Sequence, residues 1–287
     1  MSKPWLILDV SHMAFRAFHT TGGLSHMGTS TGVAFGVLRD LVTLEREFHS
    51  QRFVFCFDGD GSKRKEVYPA YKANRKNGTT SGLVKAQCEL LRTNYLPRLG
   101  MANLFKQDGY EADDVIASVV RNNPDPSPII IVSGDEDLYQ LLEDGVSIYR
   151  MSNGKAMTKK AFESGYGIFP NQWPFVKAIA GCTSDNIAGV EGVGQKTAIK
   201  YLRDELPHHL NKYLDCKHWH QNCAQFLQNL ELVMLPYSGT ERFVPTEQSD
   251  IDHDEWSALT KELGIKTLPC PGGKLPESKK GKRGILE

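Results

Sequence analysis

The sequence predicts an α/β fold built around a parallel sheet, from three observations. Short, wholly apolar runs alternate with segments of helical periodicity, the runs are rich in Ile, Val and Phe, and an acid stands at or just after the end of three of them. Trp5-Leu6-Ile7-Leu8 reads as a buried strand ending at Asp9. Ser11 can cap the helix that follows, and Thr31 through Phe48 carries Val33, Val37, Leu41 and Leu44 at helical spacing. Phe53–Phe57 is a second strand, ending at Asp58, after which Gly109-Tyr110-Glu111 opens a helix bearing Val115, Ile116 and Val119. Ile129–Val132 is a third, followed by Ser133-Gly134-Asp135 and a helix with Leu138, Leu141 and Leu142; Val146–Tyr149 is a short fourth. Beyond about residue 158 the pattern turns helical, with helices near 170–180, 194–203, 220–235 and 253–263. From Leu268 the composition shifts to Pro, Gly and Lys, which predicts a disordered basic tail over 268–287.

The 287 residues are 40% hydrophobic, enough for one large domain or a main domain with an appendage. No apolar run approaches the roughly 18 residues needed to span a bilayer, and Met1-Ser2-Lys3-Pro4 leads straight into the first strand. The chain therefore reads as soluble and cytoplasmic. Six cysteines without paired spacing imply no disulfide framework. A formal net charge of zero argues against a uniformly basic coat, yet Asp60–Arg92 carries eight Lys/Arg against three acids, about +5 locally. Such a run is either a phosphate-binding surface or a solvated loop.

In parallel sheets ligands sit beyond the carboxyl ends of the strands, where Asp9, Asp58 and Asp135 fall. Glu111 and Asp114 are three apart and share a helix face, with Asp113 beside them; Asp135 and Asp137 straddle one residue. Singly, Asp58 or Asp135 reads as a helix cap and Asp114 as an acid favoured by the helix dipole. Together these carboxylates would repel one another and protonate unless cations neutralised them. Oxygen donors without His or Cys favour Mg²⁺ or Mn²⁺, and two ions about 3.5–4 Å apart suit in-line attack on a phosphodiester. Asp58-Gly59-Asp60-Gly61 begins like a calcium loop, but its twelfth position is Pro69, not Glu. Gly189–Ala198 places close glycines before a helix, as either a phosphate grip or a plain turn between core helices.

Several of these segments occur in one order: Leu8-Asp9, Phe57-Asp58, Arg64 with Tyr71-Lys72-Ala73-Asn74-Arg75, Glu111-Ala112-Asp113-Asp114, Ser133-Gly134-Asp135-Glu136-Asp137, and Ser184-Asp185-Asn186-Ile187 running into Gly189–Ala198. In this the chain resembles the flap endonuclease / 5′-3′ exonuclease family, phage 5′ nucleases and the 5′-nuclease domain of bacterial DNA polymerase I included, over roughly residues 5–235. The resemblance implies a PIN-like nuclease core over 1–165 with a helical arch at about 60–95. It also implies a helical DNA-binding region over 166–267 with a helix–three-turn–helix at about 186–203. Asp9, Asp58, Glu111 and Asp113 would hold a first metal ion, Asp135, Asp137 and Asp185 a second, with Asp114 in support. Lys72 and Arg75, with Arg64 nearby, would clamp the scissile phosphate. Tyr71 reads as a platform for an unpaired base or as a core tyrosine. Gly192, Gly194, Gln195, Lys196 and Thr197 would grip the duplex backbone with K⁺.

The expected partners are DNA with 5′ flaps, nicks or 5′ ends, RNA–DNA hybrids and a replication protein, bound by a monomer in a bacterial cytoplasm or that of a phage host. One departure matters: where the family has Gly-Asp before Ser-Asp-Asn, this chain has Gly181-Cys182. A thiol is a poor partner for Mg²⁺, so the second ion is expected to bind more weakly or through water. Lys63 is a smaller departure, standing where the family tends to an aromatic. Cys216, His218, His220 and Cys223 match no common zinc spacing and read as a polar helix with two buried cysteines. Two rivals remain: a non-catalytic binder of branched DNA, and a small-molecule phosphohydrolase built on Asp58 and Asp60.

Overall fold

The computed structural model describes residues 2–75, 79–207, 223–246 and 249–272. A five-residue run with every side chain buried needs cover on both faces, which is the environment of a central parallel strand. β1 (Trp5–Asp9) and β4 (Phe53–Phe57) are such runs. The element order is β1, α1 (Val10–Thr21), a hairpin of β2 (Ser25–His26) and β3 (Thr29–Ser30), α2 (Gly32–Phe48), β4, α3 (Ser62–Val67) and α4 (Thr79–Leu90). Then follow α5 (Leu96–Arg98), β5 (Asn103–Lys106), α6 (Ala112–Asn122), β6 (Ile129–Val132), β7 (Val146–Arg150), β8 (Lys155–Thr158), α7 (Lys159–Tyr166) and α8 (Trp173–Ala180). β9 (Gly181–Cys182), β10 (Ile187–Ala188), α9 (Gln195–Leu202), α10 (Cys223–Val233) and α11 (His253–Glu262) complete it.

The main sheet runs β5-β4-β1-β6-β7-β8, parallel except for the antiparallel β7–β8 pair. Alternation along β1 splits the core in two. Leu6 and Leu8 pack with α1, α2 and α11 on one face, through Met13, Leu41, Trp256 and Leu259. Trp5 and Ile7 pack on the other with α6, α8 and α10, through Ile116, Trp173, Val176 and Leu232. The later helices thus share both cores with the sheet.

Three local expectations need correction. Asp9, not Ser11, caps α1: its Oδ1 accepts the His12 N–H at 2.9 Å, so the helix begins at Val10. The segment after Asp135 forms only a 3₁₀ turn, Asp137–Leu141, before the chain enters β7. β5 and β8 were not anticipated because, as edge strands, they are half exposed and lack an apolar run. Cys216, His218 and His220 lie outside the described residues, as does the tail from residue 273. Among the described residues no helix is long and apolar enough to cross a membrane.

β9 and β10 make a tight hairpin where two glycines are required. At Gly181, whose φ is +75°, a Cβ would lie 2.3 Å from the Gly189 nitrogen; at Gly189 it would lie 2.2 Å from the Ala180 carbonyl carbon. That close approach brings Cys182 and Asp185 under the sheet's carboxyl edge.

Candidate active site

The carboxyl ends of β1, β4 and β6 deliver Asp9, Asp58 and Asp135, and the first turn of α6 delivers Asp113, to a cavity of about 470 Å³. Asp9 is buried; its Oδ1 accepts from His12 and its Oδ2 from the Ser133 hydroxyl at 2.8 Å. Asp58 Oδ1 accepts the Ala112 N–H at 2.7 Å, which ties the β4 end to the start of α6. Among the described residues no lysine or arginine forms an ion pair with Asp9, Asp58, Asp113 or Asp135. Burial, then the charge of Asp58, raises Asp9 to about 7, and burial, then Asp135 and Asp9, pushes Asp113 well above the carboxylate range. These groups form a first pole without an ion pair among the described residues, where the charges of Lys72 and Lys177 offset only part of the crowding at Asp113 and Asp135.

A second pole lies beside it. Asp137, Cys182 and Asp185 each place one donor atom within 4.8 Å of the others. Here every carboxylate has a cation: Lys177 Nζ lies 2.6 Å from Asp137 Oδ1, and Arg75 Nη2 lies 2.8 Å from Asp185 Oδ1, with Lys72 at 3.8 Å. Burial, then the charge of Asp185, raises the Cys182 thiol, so it stays protonated; its Sγ contacts the Ser184 hydroxyl at 3.0 Å.

Glu111 lies between the poles, holding Lys72 Nζ at 2.5 Å on Oε1 and the Tyr71 hydroxyl at 2.8 Å on Oε2. Burial alone would raise the Glu111 pKa, but Lys72 and Arg64 lower it; burial opposes the Lys72 charge, but Glu111 and Asp185 raise it. The chain at Lys72 takes φ +53° and is laced to the turn carrying Asp185. The Lys72 N–H donates to the Asp185 carbonyl at 2.8 Å, the Asn74 amide to the Thr183 carbonyl at 2.8 Å, and the Asn186 amide to the Ala70 carbonyl at 2.8 Å.

Three expected site residues stand behind the site carboxylates, buried, with Arg64 and Tyr71 both touching Glu111 from below. Asp114 is fully buried, and both its oxygens are taken, by Arg64 at 2.6 and 2.7 Å and by the Glu111 and Tyr237 N–H groups, so it is not placed to ligate an ion. Arg64 is 2% exposed, donates to the Leu232 carbonyl at 2.9 Å and stacks 4.6 Å over the Tyr237 ring; it braces α3 against α6 rather than facing a phosphate. Tyr71 is 3% exposed beneath Glu111 and presents no stacking face, which selects the core-tyrosine alternative. Gly192, Gly194, Gln195, Lys196 and Thr197 come together at the N-terminus of α9, with Gly192 at φ +74° and open space where a Cβ would lie at Gly192 and Gly194. Sequence reasoning missed Lys177, one turn before Gly181 on α8, and His12 and Phe15 on α1, which line the first cavity.

The 5′-3′ exonuclease, N-terminal resolvase-like domain matches residues 4–167, more than half of the chain. The chain belongs to this 5′-3′ exonuclease family. The 5′-3′ exonuclease of Bacillus subtilis is 33% identical over 209 residues, which is 69% of this chain and 69% of that protein. The thermostable DNA polymerase I of Thermus aquaticus is 34% identical over 202 residues, but this 5′-3′ exonuclease family chain spans only 24% of that polymerase. Zinc-bound T5 5′-exonuclease superposes with a TM-score of 0.64 at 23% identity, covering 81% of this chain and 90% of that one. The catalytic core of Rad2 in complex with DNA substrate gives 0.58 at 15% identity, covering 91% and 87%, and shares the fold.

Proposed function

We propose that the chain is a metal-dependent 5′ nuclease, a 5′-3′ exonuclease and flap endonuclease acting on DNA with 5′ flaps, nicks or free 5′ ends, RNA–DNA hybrids included. The observation that carries this reading is the first pole: four carboxylates without ion-pair partners beyond the strand ends, with Lys72 and Arg75 on the rim of the same cavity. Hard oxygen donors bearing unbalanced charge fit Mg²⁺ or Mn²⁺. Such ions activate water for in-line attack and stabilise the leaving oxygen when bound. Asp9, Asp58 and Asp113 would hold the first ion with Glu111 at its edge, and Asp135 would face the second, weaker pole of Asp137, Asp185 and Cys182. Lys72 and Arg75 exchange their carboxylate partners for the scissile phosphate and oppose the charge that develops on it. The N-terminus of α9 with Gly192–Thr197 suits backbone phosphates and K⁺, so recognition follows DNA shape rather than base sequence. The nuclease works as a cytoplasmic monomer beside a replication protein.

Cleavage of a 5′-labelled flap DNA in Mg²⁺, beside Asp9→Ala and a metal-free control, tests this. Cutting near the junction by the unaltered chain alone supports it, and product sizes separate flap from end-directed cutting. Cys182 at the second pole favours a second reading, a non-catalytic binder of branched DNA. Binding without cutting in both Mg²⁺ and Mn²⁺ would establish that reading instead.

A further inference from the structure

The two poles differ in charge, and that difference has a consequence for how many ions the protein holds. At the first, Asp9, Asp58, Asp113 and Asp135 converge without an ion pair. At the second, two carboxylates meet two cations, Lys177 on Asp137 and Arg75 on Asp185, and the third donor is a buried thiol.

We infer that the ammonium of Lys177 stands in for a second divalent ion, so that the resting protein binds one such ion, at the first pole, rather than two. This rests on the nuclease reading for what the first ion does.

Geometry alone would allow an ion at the second pole, since its three donor atoms lie within 4.8 Å of one another. Charge and donor chemistry decide against it. An incoming Mg²⁺ or Mn²⁺ must displace the Lys177 ammonium from 2.6 Å of Asp137, and that ammonium is mostly enclosed, 5.7 Å from the centre of the Trp173 ring. It meets two carboxylates, Asp137 and Asp185, that already carry a cation each, which weakens the attraction a divalent ion needs. It also gains in Cys182 only a soft sulfur donor, a poor match for Mg²⁺. Lys177 is carried by α8, whose Trp173 and Val176 are anchored in the core, so the chain tethers its ammonium beside Asp137. The phosphate side of the cavity thus keeps positive charge at both poles, one part exchangeable and one part covalent.

Mn²⁺ binding to the full chain without DNA, followed by the loss of the free-ion electron paramagnetic resonance signal at fixed ionic strength, tests the count directly. The unaltered chain is expected to take up one equivalent, with any further binding at least about tenfold weaker. The double variant Cys182→Asp/Lys177→Gln is expected to gain a second equivalent comparable with the first, and Asp9→Asn to lose the first. Two equivalents of similar affinity in the unaltered chain would overturn this inference while leaving the nuclease reading intact. No bound Mn²⁺ would overturn both. A double variant that keeps the native circular dichroism spectrum and still binds only one ion would show that Lys177 and Cys182 do not set the count. The count on the unaltered chain stands even if that variant fails to fold.

Discussion

Replacing Arg64 separates a structural brace from a phosphate clamp. Its guanidinium makes two hydrogen bonds to Asp114, one to the Leu232 carbonyl, and a cation–π contact with Tyr237, at 2% exposure. Arg64→Ala leaves Asp114 fully buried with a charge that only backbone N–H groups from Glu111 and Tyr237 oppose. Removing one partner of a buried pair costs about 3–5 kcal/mol. With a urea slope of about 3 kcal/mol per molar, that lowers the unfolding midpoint by about 1–1.7 M. Flap cleavage at 20 °C, where the variant remains folded, should fall by no more than about threefold, since the hydrogen bonds of Arg64 go to Asp114 and Leu232 and it reaches the site only through Glu111, at 3.6 Å. Arg64→Met/Asp114→Leu should recover part of the loss, because the lone buried charge is gone. An unchanged urea midpoint together with a hundredfold loss of cleavage would refute the brace and restore Arg64 to the chemistry.

Other predictions follow from the same geometry. Lys72→Ala should slow cleavage by about a hundredfold or more while weakening DNA binding only a few-fold, measured by single-turnover rates and fluorescence anisotropy; equal losses in both would remove Lys72 from the clamp. Asp9 is raised to about 7 from an unfolded value near 3.8, so the folded state holds this proton more tightly. The stability it contributes is complete below about 4 and is lost as pH rises toward and through about 7. In chelator, the melting temperature of the unaltered chain should therefore fall from pH 5 to 8 more steeply than that of Asp9→Asn, and parallel curves would contradict the crowding described. Gly189→Ala sets a methyl against the Ala180 carbonyl and should cost about 2–3 kcal/mol in thermal melts; an unchanged melting temperature would deny that close approach.

What could be read locally was read correctly where burial is two-sided. Phe53–Phe57 and Trp5–Asp9 are apolar on both faces, so their runs are continuous and the acids at their ends are easily placed. β5 and β8 escape because β5 is mostly half-buried and β8 mostly exposed, so neither shows a continuous apolar run. Arg64 and Asp114 lie within motifs that carry the site, yet their environment is made by Leu232 and Tyr237, more than a hundred residues away in sequence. No local pattern reveals that a basic residue in a charged run is folded inward. Lys177 was invisible for the opposite reason: on a helix of apolar spacing a lone lysine reads as a solvated face, and only the packing of α8 against the 3₁₀ turn at Asp137–Leu141 brings Asp137 against it.

The reciprocal hydrogen bonds between residues 70–75 and 183–186 give the molecule a ruler. The segment bearing Lys72 and Arg75 cannot slide along the segment bearing Asp185, and the latter continues within ten residues into the glycine turn ahead of α9. On the proposed reading, whatever length of duplex lies between the turn and the clamp would be a constant of the covalent chain. The position of the cut, counted in nucleotides from the gripped phosphate, would then be a property of this stitched pair rather than of the DNA sequence.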